Sequence, residues 1–495
     1  MHSLLRFFYV LRIVIIYRID RIGLPWYRCF SFWFAFCAPL AQYKYGYQTR
    51  AKRLVDSAIA MGPIFVKFAQ IISARIDLLP DDILEGLASL QDQVPACTKP
   101  QIQSVLESVQ GDFNKVFDTF DWNPLGSASI AQVHGATLHS GHHVAVKILR
   151  PRIRQSIARD MQLLKFIAFF INALHPNREY LRVYDVIEEF EHTCTFECDL
   201  LNEAGNYHYM RHLARDESRM FVPKVYWEYS NADVLVIERV HGISISNDAD
   251  LHKHRVNMPV LATTIVELFF KQVFEYNFFH ADMHPGNLFV MAADGDKPRW
   301  AAVDYGITGS LSLKDQQYLA ENIYAFTQRD YAKVVDLHIS SGWVVASTNR
   351  QHMISKIRAI GESVFDRPLE CINCAKLLLQ VLLVARQHGM IVQPQLLLLQ
   401  KTLMHVEALA RRIYPKLNMW HIVSPYIERW VLQKYSVASS CQKLITSLPS
   451  LLDNISHKSD KTDTYNNYQT TYQLNPFIFI LGFLSAFLLM YINNL

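Results

Sequence analysis

The stretch Phe279-His280-Ala281-Asp282-Met283-His284-Pro285-Gly286-Asn287-Leu288 is followed, after a hairpin-sized interval, by Ala302-Val303-Asp304-Tyr305-Gly306. An Asp, an Asn five residues on, and a second Asp closing an apolar run before Gly demand a fold that brings a loop and a strand end to one place. Kinase-type phosphoryl-transfer sites use this layout. One carboxylate orients or deprotonates the acceptor, while the Asn and the second Asp supply hard oxygen ligands to Mg²⁺. Those roles fall to Asp282, Asn287 and Asp304. Either fragment alone reads equally well as a polar turn built from Asp and Pro-Gly chemistry. A lysine upstream, in the right chain order, weighs against that plainer reading.

That lysine is Lys147, at the end of Val144-Ala145-Val146-Lys147. Residues 121–150 are written as strands around a Ser140-Gly141 turn. On an apolar strand that excludes water, Lys147 is placed to pair with the α- and β-phosphates. Small residues between the two β-runs, Leu125, Gly126, Ser127, Ala128, Ser129, Ile130, Ala131, Gln132 and Val133, bring backbone N–H groups close to phosphate. This is not a Walker A loop, because no Gly-Lys-Ser/Thr follows. One helix is expected near 156–173 and another over 184–212, the latter carrying Glu197-Cys198-Asp199 and Glu203. A kinase-like site needs a helical Glu to hold its lysine, which makes Glu203 the candidate. On one continuous helix Glu197 and Asp199 would not share a face. Strands at 222–229 and 234–240 are expected to pair, running into Glu238-Arg239-Val240-His241-Gly242 as a hinge between lobes. A long apolar helix over 261–276 delivers the Asp282 loop. Beyond Gly309 the pattern is helical, with a stripe of Leu396, Leu399, Leu403, Val406 and Ala410 as core.

Residues 51–95 also read as helical. Ile64, Phe68, Ile71 and Ile72 recur at helical spacing, with Lys67 and Gln70 on a different face. Upstream, Arg6, Arg12 and Arg18 interrupt aromatic and aliphatic runs, so neither a signal peptide nor a spanning helix fits. A membrane-interface segment and a helix packed on its own domain are both compatible with that writing. Of the 495 residues 51% are hydrophobic, high for a chain wholly in water, and part of that surface is expected to meet lipid. The polar stretch 453–473 reads as a linker into the uncharged run 477–492. At ~1.5 Å per residue that run spans about 24 Å against a hydrocarbon core of ~30 Å, and residues 474–495 lengthen it. A carboxy-terminal membrane anchor is the expectation, with Lys458 and Lys461 keeping the main body cytoplasmic. A net charge of +4 with no basic run or aromatic-interleaved stripe gives no reason to expect nucleic acid. The eight cysteines lack a disulfide-framework spacing and suit a reducing compartment. Cys194 and Cys198, one turn apart, read as buried small residues, and Cys371-Ile372-Asn373-Cys374 is a lone C-x-x-C.

With these residues in hand, the chain resembles the ADCK/UbiB family of atypical protein-kinase-like proteins, from about Gly62 to Tyr414 and in its hydrophobic carboxy terminus. The resemblance rests on Gly126–His134, on Phe279–Asn287 and on Pro394-Gln395-Leu396-Leu397-Leu398-Leu399-Gln400-Lys401-Thr402-Leu403. It implies an α+β, bilobal protein-kinase-like fold. A helical amino-terminal extension (1–120) precedes a kinase-like N-lobe (121–242) and a helical C-lobe with the catalytic loop (243–450). A polar linker (451–474) and a transmembrane anchor (475–495) complete the chain. The family's Ala-rich loop falls on Leu125 to Val133, its lysine on Lys147, its helical Glu on Glu203 and its catalytic Asp on Asp282. Its metal ligands fall on Asn287 and Asp304. Its regulatory Glu-x-Asp falls on Glu197 and Asp199, and its Lys-x-Gly-Gln on Lys67 to Gln70, with Ala69 where the family has Gly.

The resemblance further implies ATP and Mg²⁺ as cofactors, ATPase or unorthodox kinase activity, and a role in ubiquinone biosynthesis at the bacterial inner membrane. The implied partners are membrane lipid, isoprenoid or quinone precursors and the ubiquinone-biosynthesis enzymes. One short span where the family carries two suggests a self-associating anchor and hence a homo-oligomer. A nucleotide-binding scaffold without catalysis and a small-molecule kinase are the alternative functions.

Overall fold

Glycine and proline punctuate the amino-terminal helices. In the computed structural model, which describes residues 2–17, 49–73, 81–88, 95–111, 113–174, 183–291, 298–344, 347–365, 373–388, 390 and 394–434, helix α1 spans His2–Ile16 and α2 spans Arg50–Met61. Gly62, at a φ of 111°, ends α2, and Pro63 opens α3 (Pro63–Ser73), where its missing N–H is no loss. Helix α4 (Asp81–Ala88) closes a small core of Ala58, Val66, Ala69, Ile83 and Leu87. The Ala69 methyl therefore packs inside an unbroken helix. Arg6, which interrupts the first apolar run, pairs with buried Asp160 at 2.8 Å and donates to the Met61 carbonyl, so α1 is tied to its own domain.

Thr98 and Gln101 form a capping box on α5 (Lys99–Gln110). Three strands follow: β1 (Phe117–Ser127), β2 (Ala131–Leu138) and β3 (His143–Leu149). Along β3 the two-residue period sends Val144, Val146 and Ile148 into a core with Ile102 and Leu106 of α5, leaving Ala145 and Lys147 on the opposite face. Next come α6 (Ile153–Leu174), α7 (Val183–Glu197) and α8 (Leu200–Leu213). The single helix expected over 184–212 is thus two. Asp199 adopts extended backbone and accepts from the Leu201 N–H, which makes it the N-cap of α8 rather than a mid-helix carboxylate.

Strand β4 (Met220–Phe221) and β5 (Val234–Glu238) do not pair with each other as expected for 222–229 and 234–240. Pro223 cannot donate to a ladder, and the Asn231 side chain accepts from the Asp233 and Val234 N–H groups in a tight turn. Only an isolated bridge joins Val225 to Ile237. Instead β5 completes an antiparallel sheet in the order β1-β2-β3-β5, and the chain crosses through residues 239–241 to β6 (Gly242–Ser244) in a second sheet. The crossing falls in the stretch Glu238–Gly242 expected to join the lobes. A Cβ at Gly242 would meet the Val290 carbonyl at 2.8 Å, so the crossing needs glycine.

Helices α9 (Asp248–Lys253) and α10 (Met258–Lys271) lead into a π-helical turn at Gln272–Tyr276 and then β7 (Phe279–His280). Strands β8 (Leu288–Met291) and β9 (Arg299–Ala302) give the second sheet the order β4-β9-β8-β6, and β10 (Thr308–Gly309) pairs with β7. Helices α11 (Leu313–Thr327), α12 (Tyr331–Ser340), α13 (Arg350–Phe365), α14 (Cys374–Gln387), α15 (Pro394–Ile413) and α16 (Met419–Lys434) complete the described chain. By internal contacts the chain divides into residues 1–430 and 431–495. Of the second unit only residues 431–434 are described. Among the described residues no helix is long and apolar enough to cross a membrane. The expected linker 451–474 and span 475–495, like the aromatic run 30–36 and Cys371, lie outside them.

Candidate active site

Lys147 leaves β3 toward the cleft and lies 2.8 and 3.0 Å from the two carboxylate oxygens of Glu203 and 2.9 Å from Asp304 Oδ1. Helix α8 builds most of this arrangement on one face. Glu203, Asn206 and Tyr207 are three and four residues apart, so they stack along one side. The Tyr207 hydroxyl accepts from the Asp304 N–H at 2.7 Å, and Asn206 donates to the Tyr305 carbonyl at 2.9 Å. Tyr305 is fully buried, its ring 4.7 Å from Tyr207 and 4.8 Å from His280. Neither Asn206 nor Tyr207 was expected at the site. Their offset from Glu203 is the signal that would have found them.

Charge in this cluster is unbalanced. Burial opposes the Lys147 ammonium, but Asp304 and Glu203 outweigh it and hold the lysine firmly charged. Burial likewise works against the Asp304 carboxylate, yet Lys147 keeps it well below the usual range, and its side chain is still 43% exposed to the cleft. Glu203 is pushed up to about 7, by burial first, because the lysine that lowers it is shared with a second carboxylate. One lysine thus serves two carboxylates, and Glu203 is the one that takes a proton first.

The Asp282 loop is held from behind. Asn277, in left-handed conformation, ends the π-helical turn and exchanges hydrogen bonds with the Leu311 backbone. The fully buried His280 faces the Val303 carbonyl with Nε2 and the Asp282 N–H with Nδ1, both at 3.1 Å. These partners assign the proton to Nε2 of a neutral ring. The Thr402 hydroxyl of α15 shares its one proton between the Ala281 carbonyl at 3.0 Å and the Leu398 carbonyl, one turn back on its own helix, at 2.8 Å. Asn287 is buried and its Nδ2 donates to the Asp282 carbonyl, which leaves Oδ1 as its atom for a cation.

Burial lowers the affinity of His280 for a proton. A depressed native value means the unfolded chain takes the proton first. The stabilisation is therefore complete above the ordinary imidazole value near 6.5 and is lost as pH falls below it toward the native value. Between pH 6.5 and 5.5 this one group is expected to cost at most about 1 kcal/mol. Denaturant midpoints of the wild type should fall over that interval by more than those of His280→Phe, and parallel profiles would refute the assignment.

Lys67 crosses from α3 to place its ammonium 2.6 Å from Glu197 Oε2, so the extension covers one side of the cleft. The cleft encloses about 610 Å³, counting all space between its walls, and is lined by Lys67, Ala128 to Ala131, Lys147, Glu197, Asp199, Glu203, Asp282 and Asp304. Of the small-residue loop, Ala128, Ser129, Ile130 and Ala131 face it. Leu125 is exposed, Gly126 has open space about it, and Ser127 receives the Arg150 guanidinium. Val133 pairs across the sheet with Lys147, and Gln132 accepts from the Cys97 N–H. Arg150, another residue not singled out from sequence, also donates to the Ala128 carbonyl and clamps the loop from outside. The side chain of Gln70 lies outside the described residues. Cys194 and Cys198 are buried, their thiols pushed up to about 12 and about 11 by burial, as suits apolar packing.

Among the described residues no cluster of three or more His, Cys, Asp and Glu side chains could hold a metal by itself. The donors present still fit Mg-nucleotide. Asp304 offers a charged oxygen, Asn287 an amide oxygen, and the loop's small side chains admit a phosphate. With Glu197, Asp199, Glu203, Asp282 and Asp304 set against Lys67 and Lys147, the cleft suits a triphosphate only when a cation comes with it.

A strand lysine joined to a helical glutamate, under a loop aspartate and an aspartate just past a strand, defines the protein-kinase-like class. Within that class, the ABC1 atypical kinase-like domain matches residues 89–338 and the UbiB helical domain matches residues 357–418. The chain belongs to the ABC1/UbiB family of atypical kinase-like proteins. It is 40% identical to a probable protein kinase UbiB of Pseudomonas fluorescens strain SBW25, over 92% of this chain and 86% of that one. It is 42% identical to a probable protein kinase UbiB of Marinobacter nauticus, over 82% and 74%. Among solved structures, Rv3197 of Mycobacterium tuberculosis, in complex with erythromycin, is similar in fold with a TM-score of 0.50. The two are 21% identical, over 70% of this chain and 87% of that one.

Proposed function

We propose that this protein binds and hydrolyses Mg-ATP in support of ubiquinone biosynthesis, with its main body on the cytoplasmic side of the bacterial inner membrane and residues 475–495 as anchor. The observation that carries the catalytic reading is Lys147 held between Glu203 and Asp304 in a cleft that Lys67 and Glu197 cover. Lys147 holds the α- and β-phosphates, and Glu203 fixes Lys147. Asn287 and Asp304 would hold Mg²⁺, whose chemistry when bound is to neutralise charge on the phosphates. The backbone of Ala128 to Ala131 lies against them. Asp282 orients a water and takes its proton as the oxygen attacks the γ-phosphorus and the bond to ADP breaks.

Water is favoured over a protein hydroxyl because the Lys67–Glu197 pair stands where a large acceptor would enter. The relatives' name, probable protein kinase, is compatible with the same residues in the same roles. Phosphate release by the full-length protein, with and without phospholipid vesicles, tests the reading beside Asp282→Asn. Release should drop at least about 100-fold in the variant, the usual scale for a proton-transfer group. Release no higher than the variant's, from wild type that binds ATP, would sink the hydrolysis claim and leave a nucleotide-binding scaffold.

A further inference from the structure

The sheet face that carries Lys147 is open in one direction only. On β3 the alternate residues of that face are His143, Ala145, Lys147 and Leu149. Leu149 is 2% exposed, so the way past it is closed. Ala145, about 7 Å from Lys147 toward the hinge, is half-buried and carries only a methyl. Across the ladder it pairs with Gly135 of β2, which carries nothing. From Lys147 to the hinge the sheet therefore offers a strip without bulk, against which a flat ring can lie.

What covers Gly135 comes from the hinge itself. The Arg239 N–H donates to the His143 carbonyl at the start of β3, and its side chain reaches over Gly135. A Cβ there would lie 2.8 Å from Nη1 and 3.4 Å from Cζ of the guanidinium, so glycine is what admits it. Glu238, next in the chain, turns elsewhere: it accepts from the Lys224 N–H at 3.1 Å and lies 3.6 Å from Arg211. Among the described residues the Arg239 guanidinium makes no hydrogen bond and no ion pair.

Five N–H donors are thus left open on a half-buried side chain. Lost hydration without a partner is a cost that a ligand bearing acceptor atoms removes. Phosphate is met by Lys147 at the far end of the strip, whereas Arg239 enters from the hinge end. A heteroaromatic ring laid on Ala145 has the guanidinium beside it, where N–H donors meet ring nitrogens and the delocalised cation meets π electrons. Resting on the Mg-ATP function proposed above, we infer that Arg239 is a specificity-determining residue whose guanidinium contacts the base of the bound nucleotide, so that the site prefers a nucleoside triphosphate to triphosphate alone.

Titration calorimetry on the full-length protein with Mg-ATP and with Mg-tripolyphosphate, which lacks the nucleoside, tests this. Arg239→Ala should weaken Mg-ATP by about tenfold, the scale of one charge-assisted hydrogen bond, and leave tripolyphosphate as it was. Arg239→Lys keeps the charge without the planar fork and should recover little of the loss. Neither should lower the melting temperature, because the guanidinium has no partner to lose. Gly135→Ala keeps Arg239 but sets a methyl where the guanidinium lies, and should weaken Mg-ATP in the same way. Unchanged Mg-ATP affinity in Arg239→Ala would overturn the inference. So would full recovery in Arg239→Lys or an equal loss for tripolyphosphate, either of which reduces the residue to a charge. Wild type that binds no Mg-ATP would overturn the proposed function and this inference with it.

Discussion

Replacing Lys147 by Met is expected to abolish nucleotide binding and to cost about 3 kcal/mol of stability, the lower end of what breaking a buried ion pair costs. The exposure of Asp304 to the cleft softens the loss, and Glu203, already pushed up to about 7, can take a proton. The sign with pH follows. A carboxylate whose native value is raised contributes stability below its unfolded value near 4.3 and loses it as pH rises through the native one. The deficit of the variant should therefore be smaller at pH 5 than at pH 8. Adding Glu203→Gln should recover most of the loss at pH 8 while leaving nucleotide binding absent. Denaturant midpoints of both variants at the two pH values decide the matter. A double variant no more stable than Lys147→Met at pH 8 would mean that the uncompensated Glu203 charge is not the cause.

Replacing Asp304 by Asn should do the opposite, sparing the fold and removing the metal dependence. Asp304 has a φ of 63°, a left-handed conformation that Asn adopts readily. The amide oxygen can still accept from Lys147 and from the Gly306 N–H, as the carboxylate does. Stability is therefore expected to change by no more than about 1 kcal/mol. What disappears is the carboxylate charge proposed to hold the cation. The stabilising shift given by Mg-ATP should vanish, corresponding to affinity weaker by at least about 100-fold, ~2.7 kcal/mol. An undiminished shift would remove Asp304 from metal holding.

The parts of this site that repeat along the chain could be read from the chain. The alternation of Val144, Val146 and Ile148 against Lys147 puts the lysine on the open face of β3, and the apolar run into Phe279 marks the helix that delivers Asp282. What escaped was decided by single side chains satisfying backbone groups. No Gly or Pro marks the break at Asp199, only a carboxylate that caps the next helix. Tyr207 looks like core until its hydroxyl is seen on the Asp304 N–H, and Arg150 looks like a surface cation until it reaches Ala128. Pro223 signals that 222–229 cannot be a central strand, a signal outweighed by the β-branched and aromatic residues around it. Ala69 was read against a glycine pattern, whereas its methyl helps fill the core beneath α3.

The hydroxyl of Thr402 on the Ala281 carbonyl has a consequence for inheritance. The residue belongs to the stretch matched as a helical domain, and the carbonyl to the stretch matched as a kinase-like domain. Leu399 and Leu403 likewise share one cavity wall with Phe269 and Phe270. The two stretches complete each other's interior. A chimera of two relatives joined between residues 338 and 357 would set the Asp282 loop against a buttress shaped for another, and its melting temperature is expected to fall below that of either parent.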